Sequence, residues 1–152
     1  MAALTACDDK DNNALDREYT NYTLALQQRY PTATNIEWDI EGIYHVADFY
    51  VDHNEMEAWY NGDIRWMMSR TEMGRNLLSV SGIVADAFAS GDYGTWSIDD
   101  IDFYEKPDRQ FYVFDVENPG QPDMLLFYNT DGTMIKAIPD TNGFEITPDT
   151  AI

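Results

Sequence analysis

The chain has little of what most site chemistries require. A single cysteine among 152 residues leaves no internal disulfide and no CxxC redox or zinc site. Two histidines, eight positions apart on one predicted strand and its end, lie too far apart to share a metal unaided, because a strand rises about 3.4 Å per residue. Basic residues are scarce: nine Lys and Arg stand against 28 Asp and Glu, a formal net charge of -19 with a pI near 4.1. So few cations among so many carboxylates cannot form the basic stripe that nucleic acid needs, and anionic membrane surfaces are disfavoured for the same reason. No glycine loop of the phosphate-cradling kind occurs, so nucleotide binding has no support. No apolar run approaches the ~20 residues that span a bilayer. What is abundant is core material. With 44% hydrophobic and 14% aromatic residues, the chain can bury roughly 70% of its unfolded surface as one ordinary domain.

The expected organisation is a tether over residues 1–13, one domain over 14–145 made of two repeats (about 14–75 and 76–140), and a C-terminal tail over 146–152. In the first repeat Leu15, Tyr19, Tyr22, Leu26 and Tyr30 recur at helical spacing, with Asn13 as a cap and Pro31 as a stop. Strand-like runs follow at 36–41, 44–52 and 55–70, the last broken at Asn61-Gly62-Asp63. Glu41-Gly42, Asp52-His53-Asn54 and Asn61-Gly62 are turn signals. The second repeat opens with a helix over 77–89, carrying Leu77, Val80, Val84 and Phe88 and stopped by Gly91. Strands are expected at 98–105, 110–117, 124–128 and 133–138. Val46-Ala47-Asp48-Phe49 matches Val113-Phe114-Asp115-Val116, and Tyr60-Asn61-Gly62-Asp63 matches Tyr128-Asn129-Thr130-Asp131, at nearly one offset. A helix followed by a meander, twice over, predicts an α+β fold: one antiparallel sheet of about six to eight strands with both helices on one face.

The first half, from Arg29-Tyr30-Pro31 through Ile36-Glu37-Trp38 and Tyr44 to Tyr60-Asn61-Gly62-Asp63-Ile64-Arg65-Trp66, resembles the PepSY-like family of Bacteroides envelope proteins. That resemblance implies the fold of the beta-lactamase inhibitor protein. Its motifs are structural punctuation and carry no chemistry. Ile64 stands where the family usually has glycine, whereas Gly132 keeps it, and Leu78-Ser79 replaces a Leu-Pro at the second helix start. Leu4-Thr5-Ala6-Cys7 has the form of a bacterial lipobox, and Asp8, Asp9 and Asp11 around Lys10 resemble the surface-export signal of Bacteroides lipoproteins. Lipidation of Cys7, with the membrane reached only through that anchor, is what this implies. The six residues before Cys7 hold neither a charged n-region nor the roughly 7–15-residue apolar stretch of a signal peptide. The lipobox reading therefore requires a leader upstream of Met1; otherwise Cys7 is a free thiol in a frayed terminus.

No catalytic residue is expected. Cys7 lies in the tether, His45 reads as a structural histidine on the core side of its strand, and Ser79-Val80-Ser81-Gly82 lacks the glycine pair of a nucleophile elbow. In the cluster Asp99, Asp100, Asp102 and Glu105, alternation sends Asp99 and Glu105 to one side and Asp100 and Asp102 to the other. A weak calcium site there or at 129–132 would not be an EF-hand, with Phe127 and Ile138 at its first and twelfth positions. No cofactor is expected. Recognition surface remains. If helices cover one sheet face, the other carries Tyr44, Val46, Asp48 and Tyr50 beside Phe111, Val113 and Asp115, aromatic rings next to carboxylates, with Trp38, Trp59 and Trp66 as further candidates. An exposed face makes Tyr44→Ala and Tyr50→Ala cheap, and a buried opposite side makes Phe49→Ala and Phe114→Ala expensive. The expected function is a non-enzymatic, exported module that binds an unspecified protein partner. A small-ligand or calcium-binding envelope protein and a small hydrolase are the alternatives. The oligomeric state is not encoded in any pattern found.

Overall fold

The computed structural model describes residues 10–152, with side chains from residue 19 onward; Cys7 and the lipobox lie outside the described residues. Helix α1 spans Lys10–Arg29, so Asn13 falls inside it rather than capping it. Strands β1 (Thr34–Glu41), β2 (Tyr44–Val51), β3 (Asn54–Tyr60) and β4 (Trp66–Gly74) follow. The second repeat has α2 (Gly82–Ser90), β5 (Ser97–Lys106), β6 (Arg109–Glu117), β7 (Met124–Asn129) and β8 (Met134–Pro139). All eight strands form one open antiparallel sheet in chain order. The helix expected over 77–89 is in two pieces. Asn76 caps a short 3-10 turn over Leu77–Ser79 by accepting from the Leu78 amide at 2.9 Å, and α2 starts only after Ser81.

Both helices lie on one face, each packed on apolar side chains that alternation places there. Tyr22 and Leu26 of α1 pack on Ala47, Phe49, Met56, Ala58 and Tyr60. Val84 and Phe88 of α2 pack on Ile101, Phe114, Val116 and Leu126. His45 sits on this side, with its ring stacked on Tyr22 at 4.2 Å. Trp38 and Trp66 also belong to the helix side, contrary to the expectation that they join the opposite face. The Trp38 indole donates to Thr23 Oγ1, and the Trp66 indole donates to Ser69 Oγ beneath the Arg29 guanidinium.

The duplication is most visible in two loops. Asn61 and Arg65 close the β3–β4 loop through Asn61 N to Arg65 O at 3.0 Å, with Ile64 N bonded to Asn61 O. The β7–β8 loop repeats this bonding with Asn129, Thr133 and Gly132. Both fourth residues have positive φ, 59° for Ile64 and 86° for Gly132. At Gly132 a Cβ would also stand 3.0 Å from Ile83 Cγ2 and 3.1 Å from Ile83 O. Glycine is thus needed where α2 crosses the loop, while a half-buried isoleucine holds the strained position in the first repeat.

Candidate functional site: the helix-free sheet face

Strand pairing puts all seven residues expected on the helix-free face where the alternation placed them. Tyr44, Val46, Asp48 and Tyr50 alternate with the helix-side set along β2, and their partners on β3 are Trp59, Glu57 and Glu55. Phe111, Val113 and Asp115 do the same on β6. The face is not bare along its whole length, however. At one end Tyr44, Val46, Phe111 and Val113 are buried, none more than 6% exposed, together with Trp59, Met68, Tyr104 and Phe127. What covers them is the C-terminal segment, through Phe144, Ile146, Ala151 and Ile152. The expectation of a cheap Tyr44→Ala is corrected accordingly. The Tyr44 hydroxyl donates to Asp149 Oδ1 at 2.9 Å, and burial, with that carboxylate beside it, raises its pKa. The signal for this cover was the alternation Phe144, Ile146 and Pro148, which crosses from the expected domain end at 145 into the expected tail.

The other end of the face is open. Asp48 is exposed, Tyr50 is 39% exposed and Asp115 is partly so. Cross-strand pairing here sets acid against acid: Asp48 opposite Glu57, Glu72 opposite Asp102, and Asp100 opposite Asp115. Like charges directly opposite each other destabilise a sheet. One cation sits among them. Arg70 pairs with Glu57 at 3.0 Å and with Asp102 at 3.7 Å, bridging β3, β4 and β5. Burial would lower the Arg70 pKa, but Asp102 and Glu57 outweigh it and raise it. Burial pushes Glu57 and Asp102 up to about 7 despite the pull of Arg70. Burial, with Asp140 and Asp99 nearby, pushes Asp115 up to about 6. Asp48, Glu72 and Asp100 are raised too, each chiefly by burial. Arg70, Glu55, Glu57 and Glu72 were not singled out in the sequence. The signal was there in principle, as one of only nine basic residues falls in a strand flanked by acidic ones.

Two grooves flank Tyr50 and Glu55, of about 550 and 600 Å³. The first runs towards Glu37 and Asp48, and the second towards Glu72, Asp99 and Asp100. Among the described residues no group of three or more His, Cys, Asp or Glu side chains is arranged to hold a metal ion. Asp131, within the loop considered for calcium, accepts from the Thr133 amide and closes the turn. Asp99 pairs with Arg75 at 3.2 Å. No described helix is long and apolar enough to cross a membrane.

No family model matches the chain, and no curated protein matches it. Solved structures do. A BLIP-like protein from Bacteroides fragilis is 29% identical, with 84% of this chain and 90% of that one covered at a TM-score of 0.78. A DUF2874 family protein from Bacteroides ovatus is 25% identical over 87% of this chain and 95% of that one, at 0.79. A Bacteroides eggerthii protein predicted to be periplasmic is 25% identical over 82% and 90%, at 0.75. In fold and in a quarter or more of the aligned residues, this chain is similar to the BLIP-like and DUF2874 proteins of Bacteroides, the PepSY-like group its sequence motifs resemble.

Proposed function

We propose that this chain is a non-enzymatic binding domain of the cell envelope, periplasmic or lipid-anchored through Cys7, that recognises a protein partner by the helix-free sheet face. The observation that carries the reading is the set of like-charged cross-strand pairs, Asp48–Glu57, Glu72–Asp102 and Asp100–Asp115, on the half of that face left uncovered. Each such pair costs stability, and natural sequences keep local violations of this kind where function requires them. The partner that fits is one presenting lysine or arginine side chains. Its cations would add to the countercharge that Arg70 and Arg75 supply now, and the Tyr50 ring, between the two grooves, offers rigid contact area. The BLIP-like relative and the relative predicted to be periplasmic support an inhibitor-like role and this location. Of the seven face residues, Asp48, Tyr50 and Asp115 are the contact residues in this reading. Tyr44, Val46, Phe111 and Val113 lie under the C-terminal segment.

A photo-crosslinking amino acid placed at Tyr50, in the organism that encodes the chain, tests this. A discrete protein adduct is expected from position 50 and none from Ile83, which is exposed on α2. Asp48→Lys with Asp115→Lys should abolish the adduct. Equal labelling from both positions, or an adduct indifferent to the charge reversal, would sink the reading.

A further inference from the structure

The cover over the apolar end of the face is thin and lightly tied. Phe144, Ile146, Ala151 and Ile152 are only half-buried, although the sheet residues beneath them are fully buried. Among the described residues no backbone hydrogen bond joins 144–152 to a strand. The segment satisfies itself instead: the Ala151 amide donates to Thr147 O at 2.8 Å, the Thr147 amide to Thr150 Oγ1 at 2.8 Å, and Thr150 Oγ1 to Glu145 O at 2.6 Å. Among the described residues, three side-chain hydrogen bonds fasten it to the body: Tyr44 to Asp149, and Lys106 Nζ to the carbonyls of Pro148 and Ile152 at 3.2 and 3.4 Å. A unit that closes its own hydrogen bonds and loses few others on leaving is the kind that opens locally.

The seat is also larger than its occupant requires. At the seam between this segment and the acidic half lies a cavity of about 250 Å³, bordered by Glu57, Trp59, Arg70 and Ile146. Trp59 is 3% exposed, and its indole N–H has no hydrogen-bond partner among the described residues; nor does Arg70 Nε. A buried donor left unpaired forfeits the hydrogen bond it would make to water. An occupant that brought a carbonyl to this seam would recover that loss.

We infer that Phe144–Ile152 is a displaceable strap, and that its seat is the docking groove for an apolar segment of the partner whose flanking lysines or arginines reach the acidic half. This rests on the recognition face proposed above. It adds that the chain competes with its own partner. The seat offers Tyr44, Trp59, Tyr104 and Phe111 in one continuous patch, the composition of recognition cores, and it meets the acidic half along the Glu57–Arg70 seam. A second copy is disfavoured as the occupant by the -19 charge that each copy carries.

Hydrogen exchange on the full chain reads the strap without any partner. The Thr150 and Ala151 amides are expected to exchange about a hundredfold faster than those of β6. In Tyr44→Phe/Lys106→Met, which removes all three fastenings, they should exchange at least about tenfold faster again while keeping their lead over β6. The docking probe is a labelled peptide copying residues 144–152 behind three lysines. It should bind Phe144→Ser/Ile146→Ser, in which the strap is weakened and the seat left intact, at least about tenfold more tightly than the parent, and more weakly as salt rises. Strap amides that exchange only together with β6, or peptide binding equal for the two proteins, would overturn the inference. A double variant that dimerises by exchanging straps would overturn it in favour of a second copy. None of these outcomes alters the crosslink from Tyr50, so failure of the strap and failure of the recognition face are told apart.

Discussion

The two ends of the helix-free face are built on the same strands with the same pleat, yet one is core and the other is surface. Tyr44 and Val46 precede Asp48 and Tyr50 on β2, as Phe111 and Val113 precede Asp115 on β6. Alternation assigns all of them to one side, and it is right for all of them. What separates the ends is a nine-residue segment more than ninety positions away from β2, which seats Phe144 and Ile146 on the apolar end and stops short of the acidic one. Which face a residue occupies is a local property of the strand. Whether that residue meets water depends on whatever else the chain lays across it.

The sharpest contrast is between Phe111 and Tyr50, both aromatic and both on this face. Phe111→Ala should cost about 3–5 kcal/mol, because it removes a fully buried ring and leaves a cavity. Tyr50→Ala should cost less than about 1 kcal/mol. Denaturant titration of the pair measures the difference, and equal costs would erase the distinction between the ends.

Arg70 sharpens the comparison from the acidic side. Arg70→Met leaves Glu57 and Asp102 half-buried without a cation and should destabilise by about 2–4 kcal/mol at pH 8. The loss should shrink at pH 5, where the two carboxyls are protonated. The parent protein has the same dependence in weaker form. Glu57 and Asp102 rise from 4.5 and 3.8 to about 7, so between roughly pH 4 and 7 the native state holds more protons than the unfolded chain. Their contribution is therefore fully present below pH 4 and lost as pH rises through 7. After discounting for partial solvent access, a gain of about 1–2 kcal/mol from pH 8 to pH 5 is expected in urea titrations. Stability that falls across that interval would contradict the assignment. Tyr44→Phe should have a smaller effect, about 1 kcal/mol, by removing the hydrogen bond to Asp149 while keeping the ring.

Much of this architecture was legible in the sequence, and the reasons differ element by element. Turn chemistry and period-two alternation located the eight strands to within a few residues, and the matched loops at Asn61 and Asn129 showed the duplication directly. The split of the second helix was not legible from spacing, since Leu77 and Val80 keep helical periodicity while Asn76 caps the 3-10 turn and extended backbone at Val80 separates it from α2. The helix-side positions of Trp38 and Trp66 followed from register and from partners contributed by α1, Thr23 for the Trp38 indole and the Arg29 guanidinium over the Trp66 ring. The strap escaped for a similar reason. Its three-residue alternation is too short to distinguish from a tail, and its value lies in contacts with Tyr44 and Lys106, which local pattern cannot reveal. The acidic half was visible only as excess charge until pairing set carboxylate opposite carboxylate.

The division of the face is tested most directly by hydroxyl-radical footprinting of the intact chain, read residue by residue. Tyr50 should be oxidised at least about tenfold faster than Tyr44, Trp59 or Tyr104, since it is 39% exposed and they are 6%, 3% and 4% exposed. Tyr44 and Trp59 reacting as fast as Tyr50 would mean that the C-terminal segment does not cover the apolar end, and protection of Tyr50 would mean that the acidic end is not open.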